Sequence, residues 1–423
     1  MALSEYEKAK VYFTKALKAT RVYGDIDHPN IAGNLSNIGS AHRLLGNYTQ
    51  ALEYANKALA VNEALYGKGI DNIHVALSYA EIGRTYSDLG NHRLALEYYI
   101  KALNMLKTVY VPVPNHASIA RVYNDIGVTY CHLGNYELAL EYYQKALDLR
   151  HLMYGRNTCH VDIATSHNCI GMLHQNQGKF TIALESHTKA LNMRKDLYGE
   201  DTNHKDVATS YNNLASLYRS VGDHKQSLEY HKKALVMRKA VYGEDACHID
   251  IAGSYNNIGC VCSDLTNYTQ ALEYHFKSLA ILKEVYMEKI NGDIARAYNN
   301  LGVAYSSLGD NKLAIAHFMK AITMLRAVYG ENSCHPDFPV THSSIGEACY
   351  ALGDYRSALE YHKKALHAYK QANSEISCAG IFIEYKNIAL VYYSLGDYKL
   401  ALEYYTMTFE HSKKKLTNDI QRE

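Results

Sequence analysis

Three times, at steps of 88 and then 87 residues, a cysteine stands directly before a histidine: Cys159-His160, Cys247-His248 and Cys334-His335. Such a pair could supply a nucleophile, because an imidazole can draw the proton from a thiol. Twenty-two histidines and nine cysteines also raise the question of a bound metal. The spacing argues against both. His187, His231 and His275 lie 44 residues apart, and so do His116, His160, His204 and His248. Equivalent places in stacked copies of one unit sit roughly a helix-packing distance of 10 Å apart, whereas zinc gathers its nitrogens within about 2.1 Å. The Cys-His pairs recur with the units and read as one linker sequence used repeatedly. There is no C-x-x-C pair, glycine-rich phosphate loop or nucleophile elbow. We therefore expect no metal, no cofactor and no catalysis, with thiols kept reduced in a cytoplasmic protein.

Amides and guanidiniums form a second set. Asn124, Asn168, Asn212 and Asn256 follow the same 44-residue step, and Asn299 comes 43 residues later. An amide both donates and accepts, so a row of amides can hold the backbone of an extended peptide with little regard for its side chains. Asparagine is a poor helix former because its amide competes with the backbone, so its repeated use needs a reason. The alternative is a structural ladder in which each amide bonds a carbonyl of the next unit. Arg121, Arg219 and Arg296 fall near this row. They are expected to anchor an acidic side chain or a terminal carboxylate, or else to pair with glutamates on adjacent second helices.

What must position these residues is a helical hairpin. In Tyr211–Tyr242, apolar residues at Tyr211, Leu214, Ala215 and Tyr218 share one helical face, and Ser227, His231, Ala234 and Leu235 share the face of a second helix. Gly222 separates them; we number it position 15 of its repeat, which puts Asn212 at position 5 and His231 at position 24. Position 15 is then Gly46, Gly90, Gly134, Gly178, Gly222, Thr266, Gly309, Gly353 and Gly396 in repeats 1 to 9. Glycine there ends the first helix with positive φ. At Thr266 the left-handed turn is expected to pass to Asn267. Position 8 is glycine in all repeats but the fifth and ninth, which predicts close helix–helix approach. Asp162, Asp206, Asp250 and Asp293 are expected to cap the first helices. The whole chain, 1–423, reads as a single array: a leading half-repeat over 1–24, nine helix pairs over about 30–416, and a polar tail over 417–423.

This pattern resembles the tetratricopeptide repeat, with tyrosine in the usual tryptophan place. The Asn-Asn-Leu-Ala of Asn212–Ala215, the Y-G-x-x-x-x-H-x-D-[VI]-A linkers and the long second helices are most similar to the repeats of kinesin light chain. The resemblance implies an all-α superhelical solenoid of antiparallel helix pairs, right-handed, with positions 2, 5, 9 and 12 lining a concave groove that binds a peptide segment of a partner protein. It would place the five asparagines on one wall. No heptad segment that could join a motor heavy chain accompanies the repeats.

Composition narrows the partners. A net charge of +1 favours neither nucleic acid nor an anionic membrane, and no apolar run approaches the ~20 residues of a membrane span. The start, MALSEYEKAK, lacks the apolar core of a signal peptide. The expected function is a non-catalytic scaffold or adaptor for a protein or peptide. The alternatives are a self-assembling module, using the groove or the face near Phe13, and the ligand-sensing arm of a larger signalling receptor.

Overall fold

The computed structural model describes residues 8, 10–15, 29–111, 116–331, 333, 335–372 and 375–420; the side chains of Pro29, Ala372, 375–378 and 411–420 are outside it. Residues 10–15 are helical (α1), and Phe13 packs against Ile31, Leu35 and Ile38. Tyr6, Ala9 and Ala16 of the leading half-repeat, and residues 421–423 of the tail, lie outside the described residues. Among the described residues every regular element is a helix.

The chain divides into two compact units. The first comprises Met1–Thr266 and Ala280–Lys289. Here repeat 1 pairs α2 (Pro29–Leu44) with α3 (Tyr48–Tyr66), and repeat 2 pairs α4 (Ile73–Asp88) with α5 (His92–Val109). Repeat 3 pairs α6 (Ala117–His132) with α7 (Tyr136–Tyr154), and repeat 4 pairs α8 (Val161–Asn176) with α9 (Phe180–Tyr198). Repeat 5 pairs α10 (Lys205–Val221) with α11 (His224–Tyr242), and α12 (Ile249–Asp264) packs on α11. The second unit comprises Asn267–Leu279 and Ile290–Glu423; α13 (Tyr268–Val285) contributes to both. In it α14 (Gly292–Ser307) pairs with α15 (Asn311–Tyr329), α16 (Asp337–Ala351) with α17 (Tyr355–Ala372), and α18 (Glu375–Ser394) with α19 (Tyr398–Ile420). Consecutive first helices also touch within each unit.

Each turn follows from its glycine. Gly222 has φ +90° and its N–H donates to Arg219, while Asp223 N–H donates to Tyr218. These bonds satisfy carbonyls left over at the helix end. The expectation for repeat 6 is corrected: Thr266 itself takes φ +62° and does not pass the turn to Asn267. Its N–H makes the same bond to Ser263 that Gly222 makes to Arg219, so the hairpin imposes a left-handed conformation on a β-branched residue.

The helix starts also differ from expectation. His116, His160, His204 and His248 are the N-caps, each accepting at Nδ1 the backbone N–H two residues on, at 3.1–3.2 Å. Asn72 and Asn291 cap α4 and α14 in the same way. Asp162, Asp206 and Asp250 stand two places after the cap, where they accept the hydroxyls of Tyr154, Tyr198 and Tyr242 at 2.7–3.1 Å. Those tyrosines stack on His160, His204 and His248 with ring centroids 3.5–3.6 Å apart. Stacking holds each imidazole where only its nitrogen edge can meet the helix, so histidine displaces aspartate as the cap.

The position-8 glycines make room for a ring. A Cβ on Gly127, Gly171 or Gly302 would stand 2.5–2.7 Å from the ring of Tyr143, His187 or Phe318 at position 24. The small residues of position 20, such as Ala51, Ala139, Ala183 and Ser227, are fully buried in the same layer. The helices thus approach through an aromatic knob set into a glycine hole.

Candidate functional site

The asparagines of position 5 meet the residues of position 24. Asn168 Oδ1 lies 3.1 Å from His187 Nδ1, and Asn212 Oδ1 lies 3.1 Å from His231 Nδ1. Asn212 Oδ1 also accepts from Asn257 Nδ2 of the next repeat at 2.9 Å. An acceptor oxygen fixes the tautomer: Nδ1 carries the hydrogen and Nε2 is bare. For His187 that Nε2 is buried without a hydrogen bond. Burial pushes both imidazoles down to about 4, so the rings are neutral and their role is packing and orientation. The amide nitrogens of Asn168 and Asn212, in contrast, make no hydrogen bond to the described residues.

Asn124 and Asn299 have different neighbours, because the carbocyclic rings of Tyr143 and Phe318 at position 24 have no nitrogen to offer. Asn124, beside Tyr143, meets the Cys169 thiol, which burial pushes up to about 11. Asn256 is half-buried. In the second unit Asn299 lies beside Phe318; its Oδ1 is buried without a partner and lines a small cleft with Arg296, Asp337, Val340 and Thr341.

The arginines are placed as follows. Arg219 is bonded to Asp264, with Nη2 to Oδ1 at 3.2 Å. Arg296 bonds Asp293 at 2.6 Å and faces Asp337 at 3.8 Å. Their partners are aspartates on or at the ends of first helices, and not the glutamates of second helices named as the alternative. Arg121 is exposed and makes no ion pair among the described residues; the nearest influence is its field on Asp125.

Arg219–Asp264 belongs to a seam that links position 12 of one first helix to position 13 of the next. Arg43–Asp88 at 2.7 Å, Cys131–Asn176 at 3.6 Å and Gln175–Ser220 at 2.9 Å occupy the same places in the first unit, and Tyr350–Ser394 at 2.9 Å does so in the second. Toward the start it thickens into a charge network. Glu81 accepts from Ser40, Arg43 and Arg84, and Arg84 reaches Asp125 at 3.1 Å. Between Arg84 and Arg219 the first-helix face carries the exposed Arg121 and is otherwise neutral at positions 2, 5, 9 and 12, with Met172 half-exposed and Ser216 exposed.

One set of polar residues escaped the sequence reading. Arg150, Arg194 and Arg238, at position 31, are buried at the junction to the next repeat and donate to Ser166, Ser210 and Ser254. Arg194 and Arg238 also donate to the carbonyls of Asp206 and Asp250 at 2.9 Å. Burial lowers the pKa of all three guanidiniums. The signal was available: arginine at position 31 is followed sixteen residues later by serine, and Leu106 by Val122 in the same relation.

Among the described residues no group of three His, Cys, Asp or Glu side chains could hold a metal, and no helix is long and apolar enough to cross a membrane.

Comparisons agree with this architecture. No curated protein sequence matches the chain. Among solved structures, a Rap protein complexed with competence and sporulation factor is 15% identical, with a TM-score of 0.58 over 90% of this chain and 98% of that one. The sensor-bearing signal-transduction ATPase of Pyrococcus horikoshii is 14% identical, with a TM-score of 0.51; the match covers 90% of this chain and 54% of that one. A putative kinesin light chain from Podosopora anserina, 15% identical, matches over 51% of this chain and 99% of its own with a TM-score of 0.41. The family model for the tetratricopeptide repeat matches residues 1–64, 35–108, 74–151, 162–240, 206–284, 250–327 and 293–371, and a second model of the same repeat matches 385–406. With glycine-ended helix pairs along the chain and these models over most of its length, the protein belongs to the tetratricopeptide-repeat family and is a protein-interaction scaffold.

Proposed function

We propose that the first-helix face of repeats 3 to 5 holds an extended segment of a partner protein, making the chain a cargo or signalling adaptor in the cytoplasm. The observation that carries this is the polarity of two amides. Asn168 and Asn212 turn their oxygens inward to His187 and His231, which fixes the side chains and leaves each amide nitrogen as a donor for a peptide carbonyl. A donor held in place before the ligand arrives costs little ordering entropy on binding. Asn124 and Asn256 continue the row, and Asn299 with Arg296 repeats it in the second unit. Arg121 is the guanidinium in position to take a carboxylate of the segment, while Arg219 joins in by exchanging Asp264 for the ligand. The Rap protein seen with its factor has the same fold, which is compatible with this use.

The test keeps clear of the interior. Arg121→Glu, Met172→Glu and Ser216→Lys alter exposed side chains, so each should change stability by no more than about 0.5 kcal/mol. Pull-downs from native cells with the wild type and the triple variant are compared beside their urea unfolding. We expect partners to be lost from the variant at unchanged midpoint. Equal recovery of every partner would remove the proposed face from consideration.

A further inference from the structure

In the second unit repeat 7 breaks a pattern kept by the rest of repeats 1 to 8. Position 26 is lysine in repeats 1 to 8, from Lys57 to Lys364, and position 22, one turn earlier, is glutamate in all of these except repeat 7, where it is Ala316. Glutamate four residues before lysine is the favourable order on a helix, and the pair closes in repeats 1, 3, 5 and 8, with Lys57–Glu53 at 2.5 Å, Lys233–Glu229 at 2.7 Å and Lys364–Glu360 at 2.5 Å. In repeat 7 the ammonium of Lys320 has no carboxylate among the described residues and lies 5.5 Å from the ring centroid of Tyr298.

The surface beside it is apolar where repeats 3, 4 and 5 are polar. Phe276 and Met319, both at position 25, are 43% and 39% exposed; the same place is glutamine, threonine and lysine in repeats 3, 4 and 5. Phe276 meets the ring of His317 at 6.5 Å, and Met319 Sδ accepts from the Tyr361 hydroxyl at 3.6 Å. Phe276, His317, Met319 and Tyr361 therefore form one row across three second helices, with Lys320 one residue from Met319.

We propose that this row docks a protein segment carrying an apolar side chain next to a carboxylate, the partner supplying the acid that repeat 7 lacks. Charge complementarity picks the occupant: an unpaired ammonium beside exposed apolar side chains favours an acidic-apolar segment and disfavours a basic one. Methionine and aromatic side chains suit such a contact, since they adapt and offer large area. The site is independent of the asparagine row.

The experiment follows the methyl resonance of Met319 in protein labelled at methionine methyls, titrated with short synthetic peptides bearing leucine or phenylalanine next to glutamate, and with their glutamine counterparts. We expect the glutamate peptides to shift Met319 and to bind about fivefold more tightly than the glutamine ones, the value of one partly desolvated ion pair. A316E, which restores the internal pair, should abolish that difference without lowering the unfolding midpoint; K320Q should do the same. Equal affinity of glutamate and glutamine peptides, or an undiminished difference in A316E, would overturn the proposal. So would failure of every peptide to move Met319. A Met319 shift that depends on protein concentration alone would assign the row to a second copy of the chain, and would overturn it too.

Discussion

Asn168 and His187, nineteen residues apart on the two helices of one hairpin, face each other oxygen to nitrogen at 3.1 Å, with the imidazole fully buried and seated over Gly171. Removing the amide therefore strands a donor in the core. Asn168→Ala should cost about 1–3 kcal/mol, the penalty for a buried polar group left unsatisfied. Adding His187→Phe, which puts at position 24 the ring that repeat 7 carries as Phe318, should recover most of it. Urea unfolding of the single and double variants measures both; a double variant as weak as the single would mean the pair is not what holds the ring.

The buried imidazoles make the fold sensitive to acid. Burial pushes His167, His187, His231 and His342 each down to about 4, against an ordinary value near 6.5 in the unfolded chain. A depressed histidine binds its proton more readily when unfolded. Its contribution is therefore complete above pH 6.5 and is lost as pH falls from 6.5 to 4, by roughly 3 kcal/mol for each ring at the acid end. Denaturation midpoints at several pH values through that window should fall steeply, and a His187→Phe/His231→Phe variant should show a shallower slope. Parallel slopes would exclude these rings as the cause.

At the repeat junctions, the buried guanidinium of Arg194 and the hydroxyl of Ser210 are 2.9 Å apart. Arg194→Leu leaves Ser210 and the Asp206 carbonyl without their donor and should destabilise by about 2 kcal/mol. Arg194→Leu with Ser210→Val copies the Leu106 and Val122 arrangement and should be near neutral, as replacement of buried polar pairs by apolar ones often is. Thermal unfolding of the two variants decides this; a cumulative loss in the double variant would contradict it.

Thr266 holds φ +62° where other repeats place glycine. A left-handed β-branched residue costs about 1–2 kcal/mol, partly offset by the greater unfolded freedom of glycine. Thr266→Gly should raise stability by about 1 kcal/mol, read as a higher urea midpoint at unchanged slope.

The fold was legible because a 44-residue step carries the same helical faces over and over, so every repeat reads its neighbours. The caps were misread for a local reason. In H-x-D both residues can accept a helical N–H, and the choice depends on Tyr154, Tyr198 and Tyr242, which arrive from the preceding helix and press the imidazole into place. Positions 5 and 24 were read as members of separate faces, which hid the bond between Asn168 and His187. Recurrence alone could not reveal it, since Asn124 and Asn299 keep the asparagine opposite Tyr143 and Phe318, rings with no nitrogen. Arg194 and Arg238 look like surface residues of a lysine-rich helix end until the next repeat is packed on them.

The linker contacts have a consequence for how such a chain can be cut and rejoined. At the junctions after repeats 3, 4 and 5 the tyrosine and the guanidinium come from upstream, while the capping histidine and the serine that meets the guanidinium come from downstream. Splicing two arrays at the linker would shuffle those four partners, whereas splicing at the glycine inside a hairpin transfers them together. The span from one hairpin glycine to the next, half a repeat out of phase with the helix pair, is thus the module that carries its junction contacts whole, while contacts inside a hairpin, such as Asn168 with His187, are divided between two such modules.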